Sequence, residues 1–136
     1  MEKDELIQKL SKYNFDKTNV ELAIRADFKC EYCEKDMLSD IDNYKLWQID
    51  HIIPKSSQYE GFDYENFQNK AISCTQCNKD LKSKWNPHSI VGKNKTREQY
   101  ILSIKEYIKE KRKNKNSEVY EIRKIVDSYR KTLKTI

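Results

Sequence analysis

Cys30-Glu31-Tyr32-Cys33 is answered by Cys74-Thr75-Gln76-Cys77, and these two CxxC turns, with 40 residues between them, hold all four cysteines of the chain. Each turn sets two thiols on one side of a tight knuckle, and two knuckles together close a tetrahedral four-sulfur site. Zinc is the default ion there, because it needs no redox partner and accepts tetrahedral sulfur without strain. A closed site of this kind has no position for water, so its role is structural. The competing uses are two disulfides, a redox CxxC or a rubredoxin-like iron site. The first ten residues, MEKDELIQKL, interleave charges with Leu6, Ile7 and Leu10 and do not read as a secretory signal, which disfavours disulfides. A redox CxxC has no need of its twin.

The rest of the chain explains why such a staple is needed. Of 136 residues, 37% are hydrophobic and 36% charged, too polar for a large buried core, yet 15 aromatic residues (Trp 2, Tyr 9, Phe 4) supply surface worth burying. No apolar run approaches the ~20 residues of a membrane span. A soluble protein of the cytoplasm is expected. Two glycines and two prolines exclude collagen-like, propeller and glycine-rich phosphate-loop architectures.

Apolar spacing predicts a helix over 3–10 and a second from a capping box at Thr18–Glu21 to Phe28. Leu46–Ile53 reads as a strand ended by Pro54, and Ala71-Ile72 as a second short strand. Residues 56–68 form a polar loop. A short helix is expected from Asn78 to Asn86-Pro87, and 91–95 as a linker. Thr96–Gln99 is another capping box, opening a helix with Tyr100, Ile101, Ile104, Tyr107 and Ile108 on one stripe. The basic run 111–116 breaks that pattern. A last helix then carries Val119, Ile122, Ile125, Val126, Tyr129 and Leu133. The expected architecture is α+β. N-terminal helices (1–29) pack on a zinc-stapled core (30–90), which is followed by a basic extension of two helices (96–136).

Chemistry concentrates between the knuckles, in Asp50-His51-Ile52-Ile53-Pro54 and Asn66, and directly after the second knuckle, at Asn78. Cleaving a phosphodiester with one metal requires hard oxygen ligands, because Mg²⁺ must neutralise charge on the phosphate and the departing oxygen. It also requires a base that titrates near neutrality, and histidine suits that task. Asp50 offers a carboxylate, Asn78 an amide oxygen and His51 the base. Neighbours on a strand point to opposite faces, so Asp50 and His51 share one site only if the strand bends there. Taken singly, an Asp–His pair is more often a satisfied surface pair, and Asn78 could simply cap a helix. His88, outside this pattern, reads as a surface residue.

CEYC, then DHIIP, a lone Asn66 and CTQCN together resemble the HNH endonucleases, whose fold is the ββα-metal motif, over residues 30 to about 85. The resemblance implies a triplet of His51, Asn66 and Asn78. His51 would be general base, and Asp50 and Asn78 would ligate a catalytic Mg²⁺ or Mn²⁺. Asn66 would hold the inter-strand loop and orient His51 through backbone hydrogen bonds. Cys30, Cys33, Cys74 and Cys77 would bind structural zinc, and cleavage would leave 5′-phosphate and 3′-hydroxyl ends. Two positions depart from the family pattern. Leu81 stands where a lysine is usual, which makes Lys82 the expected phosphate contact, and Lys55-Ser56-Ser57 replaces a pair of glycines, which implies a different loop.

Residues 79–136 hold 17 Lys+Arg against 7 Asp+Glu, an electrostatic footprint suited to a polyanion. Lys82, Lys84, Lys111, Arg112, Lys113 and Lys115 are the expected contacts to DNA. Apolar stripes on the same helices also suit packing on the core or on a second copy, so a homodimer or a targeting partner subunit is compatible with the pattern. The alternatives are a zinc-stabilised nucleic-acid-binding module that does not cut, and a nuclease acting on RNA.

Overall fold

The computed structural model describes residues 1–134; the last two positions of the expected 96–136 extension lie outside them. Helix α1 (Lys3–Leu10) and helix α2 (Lys17–Arg25) lead into the first knuckle. The cap of α2 is Asp16, whose Oδ1 accepts from the Asn19 N–H at 2.7 Å. The helix therefore begins before the expected Thr18–Glu21 box, and Thr18 lies inside its first turn. Val20, Leu22 and Ala23 form its buried face.

The knuckle is a tight loop in which the Cys30 N–H donates to the Lys35 carbonyl at 2.9 Å and the Glu34 N–H to the Cys30 carbonyl at 2.8 Å. Glu34 takes φ 64°, the left-handed turn that brings the chain back. Glu31 fastens the knuckle to its surroundings. Its backbone N–H donates to Ile72 O at 2.9 Å, and its carboxylate accepts from the Ile72 N–H at 3.2 Å and from Arg97 at 2.8 Å.

A short helix α3 (Ile41–Lys45), absent from the sequence reading, precedes β1 (Trp47–His51). Strand β1 pairs antiparallel with β2 (Lys70–Cys74) in the register Trp47↔Cys74 to His51↔Lys70. A two-stranded ribbon is marginal by itself. Its inner face is closed by α2, by the second knuckle and by the C-terminal helix, around Leu22, Met37, Ile52, Ile72, Leu81 and Ile104.

Beyond β2, residues Gln76–Lys82 form a π-helical turn. The Ser83 N–H reaches back five residues to Asn78 O at 2.9 Å, and Ser83 at φ 50° then ends the element. The expected helix to Asn86 thus stops at Lys82, and a separate turn of helix α4 (His88–Val91) follows Pro87. The wider π turn absorbs one extra residue. That carries both Leu81 and Lys82 inward, 6% and 1% exposed.

Helix α5 runs unbroken from Arg97 to Lys134, 38 residues or about 57 Å at 1.5 Å per residue. The Thr96–Gln99 box caps it, with the Gln99 N–H on Thr96 Oγ1 at 3.2 Å and the Thr96 N–H on Gln99 Oε1 at 2.9 Å. The basic run 111–116 does not divide it, because Lys, Arg and Asn keep helical geometry and no Gly or Pro follows Gly92. The first half lies on the core through Tyr100, Ile104 and Ile108, with Tyr107 stacked on Trp85 at 4.1 Å. Every residue from 113 to 134 is exposed. No helix among the described residues is long and apolar enough to cross a membrane.

Candidate functional site

The two knuckles bring Cys30, Cys33, Cys74 and Cys77 together with all four Sγ atoms within 4.8 Å of one another. The Cys33 and Cys74 sulfurs are 3.8 Å apart. A tetrahedral zinc with Zn–S bonds of ~2.3 Å requires S···S separations of about 3.8 Å, so the cluster is a zinc-binding arrangement. The Cys77 N–H points at Cys74 Sγ at 3.5 Å, and Arg112 Nη2 stands 3.6 Å from Cys77 Sγ. Left to themselves the sulfurs conflict. Hydrogen bonds from Cys33, Cys74 and Cys77 pull the Cys30 thiol far down, while hydrogen bonding to Cys30, Cys33 and Cys74 pushes Cys77 far up. A divalent ion removes that conflict by holding all four as thiolates.

Strand β1 presents the other predicted residues on its two faces. The ladder remains regular through His51↔Lys70, so Asp50 and His51 point to opposite sides. The ladder ends at His51 and the chain bends at Ile52 and Ile53 directly after it, so the two side chains leave the ribbon at its end, one on each face.

Asp50 is buried at 6% exposure. Its Oδ2 accepts from Tyr32 OH at 2.6 Å and lies 3.1 Å from Lys82 Nζ. Lys82 Nζ also donates to His51 O at 3.1 Å. Burial raises the Asp50 carboxyl and lowers the Lys82 ammonium, each shift opposed by the attraction between them. Lys82 is therefore a buried partner of Asp50 and not a phosphate contact on the surface, which corrects the sequence expectation. The π turn is the reason, since it rotates Lys82 under β1.

Removing only the cation would leave a buried carboxylate with the Tyr32 hydroxyl as its one partner. Lys82→Met is expected to cost about 3 kcal/mol in urea unfolding, and the double variant Asp50→Asn with Lys82→Met to recover most of it. A single-variant loss below about 0.5 kcal/mol, as for an ordinary surface substitution, would remove the pair from the fold's stability.

Asn78 donates from Nδ2 to Gln48 Oε1 at 2.9 Å. Gln48 is two residues from Asp50 and shares its side of β1, so Asp50 and Asn78 flank the same face. The Asn78 amide oxygen and Asp50 Oδ1 accept no hydrogen bond among the described residues. These are two hard oxygen donors, and they fit a Mg²⁺ or Mn²⁺ ion completed by waters and phosphate oxygens. The Lys82 ammonium already stands beside the same carboxylate.

On the opposite face, His51 Nε2 is 3.0 Å from Glu65 Oε1. Glu65 also meets Lys55 at 2.8 Å and Lys70 at 3.0 Å. Lys55, Lys70 and His51, in that order, hold its carboxyl down at about 2. Asn66 is exposed and caps a short turn, its Oδ1 accepting from the Gln68 N–H at 2.8 Å. The loop is held instead by Asn69. Its Oδ1 accepts from the Ile53 N–H at 2.8 Å, and its Nδ2 donates to Ile53 O at 3.2 Å and Tyr64 O at 3.1 Å. The loop-holding role expected of Asn66 therefore falls to the buried Asn69.

His88 is half-buried, not on the surface as expected. Its ring packs against Tyr59 and Tyr100, with Nδ1 3.2 Å from Tyr59 OH, and burial lowers its pKa. Of the expected nucleic-acid contacts, Lys84, Lys113 and Lys115 are exposed and Lys111 and Arg112 half-buried. Tyr32, Glu65 and Asn69 escaped the sequence reading. None of the three carries a local signal, because each is set by contacts across the fold.

No curated protein and no solved structure matches the chain. A family model does match, that of the HNH endonuclease, over residues 30–84. That span holds both knuckles, both strands and the Asp50–His51 pair, and over it the chain is similar to the HNH endonucleases.

Proposed function

We propose that the chain is a metal-dependent endonuclease that hydrolyses DNA phosphodiester bonds in the cytoplasm. His51 serves as general base, and Asp50 and Asn78 hold the catalytic Mg²⁺ or Mn²⁺. His51 and Asp50 leave β1 on opposite faces at its end, where the chain bends after His51, so this reading requires the phosphodiester to lie across that end. The observation that carries this reading is the His51–Glu65 contact inside the HNH segment. A carboxylate facing Nε2 accepts a hydrogen bond from the Nε2–H and so leaves Nδ1 unprotonated, as the acceptor for a water proton. Glu65 is kept ionised by Lys55 and Lys70, so it orients the ring at any working pH. Tyr32 and Lys82 fix Asp50 in one position, and Asn78 is fixed by Gln48. A bound divalent ion supplies neutralisation of charge on the scissile phosphate. The exposed Lys84, Lys113 and Lys115, with Lys111 and Arg112 beside them, grip the phosphate backbone without regard to sequence.

One observation favours a second reading, a zinc-stabilised module that binds nucleic acid without cutting. The Lys82 ammonium already satisfies the carboxylate that the divalent ion would use. Incubation of the zinc-loaded chain with supercoiled plasmid, with Mg²⁺ or Mn²⁺ supplied or omitted, separates the two. Metal-dependent nicking that leaves 5′-phosphate ends is the expected result. Salt-dependent binding without any cleavage overturns the nuclease reading, and cleavage confined to an RNA of the same sequence overturns the substrate.

A further inference from the structure

The projecting half of α5 carries an apolar seam that no other described element covers. Val119, Ile122, Val126, Tyr129 and Leu133 are 57%, 52%, 38%, 63% and 53% exposed. Their spacing alternates three and four residues, the a/d pattern of a heptad, and Ile125, 71% exposed, falls at g on the flank of the seam. The first half of the same helix shows the contrast, since its Tyr100, Ile104 and Ile108 are buried against the core.

We infer that residues 119–133 pair with the same residues of a second copy as a parallel, two-stranded coiled coil. Three features of the chain select that occupant. Val119 and Val126 stand at a, where β-branched residues favour two strands. Glu118 falls at g and Arg123 at the following e, so a parallel pair sets Glu118 of one copy against Arg123 of the other. An antiparallel pair sets e against e, arginine against arginine. The seam also has a charged stop, because continuing the heptad backward puts Lys115 at d and Arg112 at a. The two helices part there into their basic stretches and their own cores. The five side chains expose on the order of 500 Å² per copy, so pairing reaches the ~1,000 Å² at which a specific interface begins. Residues 113–118 leave a spacer of about 9 Å between core and seam, room for two cores side by side.

The inference is independent of hydrolysis, and its test reads mass. The full zinc-loaded chain, examined by light scattering at tens of micromolar, is expected at twice 16.4 kDa. Ile122→Asp and Val126→Asp are expected to raise the dimer dissociation constant at least tenfold while zinc content stays unchanged, because neither side chain touches the core. Val126→Cys is expected to crosslink under brief oxidation that leaves the parent uncrosslinked, since a meets a only in the parallel arrangement. A monomer at these concentrations, or an Ile122→Asp variant with unaltered mass, overturns the interface. A trimer or larger assembly overturns the two-stranded register, and a Val126→Cys dimer that fails to crosslink overturns the parallel one.

Discussion

Replacing Cys74 by serine, or stripping zinc with a chelator, is expected to abolish the cooperative unfolding transition and to flatten the near-ultraviolet signal of the aromatic side chains. Structural zinc in small domains contributes on the order of 10 kcal/mol or more, whereas whole domains are stable by only about 5–15 kcal/mol. Here the ion would join two turns that otherwise meet through Glu31 and the shared core. Cys30 and Cys33 lie on a loop after α2, and Cys74 and Cys77 bridge β2 and the π turn. Cys30, Cys74 and Cys77 are themselves buried among the apolar residues. Losing one thiolate therefore opens the core at its centre. A Cys74→Ser variant that melts within a few degrees of the parent would show that the core stands without its ion.

His51→Ala is expected to lower metal-dependent cleavage by 10²–10⁴-fold, the usual worth of a positioned general base, with zinc content and unfolding midpoint unchanged. The ring is half-buried and its side-chain partner is the exposed Glu65, so truncation leaves no buried polar group stranded. Glu65→Gln separates orientation from chemistry. It keeps a hydrogen bond to Nε2 but no longer holds the ring in one tautomer, so a smaller loss of rate with substrate binding retained is expected. Equal activity of parent and His51→Ala on plasmid would withdraw His51 as the base.

The parts of this molecule that were legible in sequence are those fixed by local spacing. The CxxC turns announce a four-sulfur cluster because sulfur geometry admits few arrangements. Leu46–Ile53 announces a strand through its apolar content, and the Thr96 box a helix start through its own side chains. The illegible parts are set by contacts across the fold. Nothing local distinguishes Asn69 from Asn66; burial beneath Ile53 and Tyr64 does. Glu65 reaches His51 across the ribbon, and a polar loop gives no sign of that. Ordinary helical spacing leaves Lys82 outside, and the π turn brings it in. The run 111–116 was read as a break since it lacks apolar residues, although polarity alone never stops a helix.

The contact of Arg112 with Cys77 has a mechanical consequence. Arg112 stands where α5 leaves the core, and its guanidinium rests 3.6 Å from one of the sulfurs. A zinc with four thiolates carries two net negative charges, a firm seat for that cation. The root of a rod tens of ångströms long is thereby tied to the same four sulfurs that join the two knuckles, and a load applied along the rod falls on the metal site.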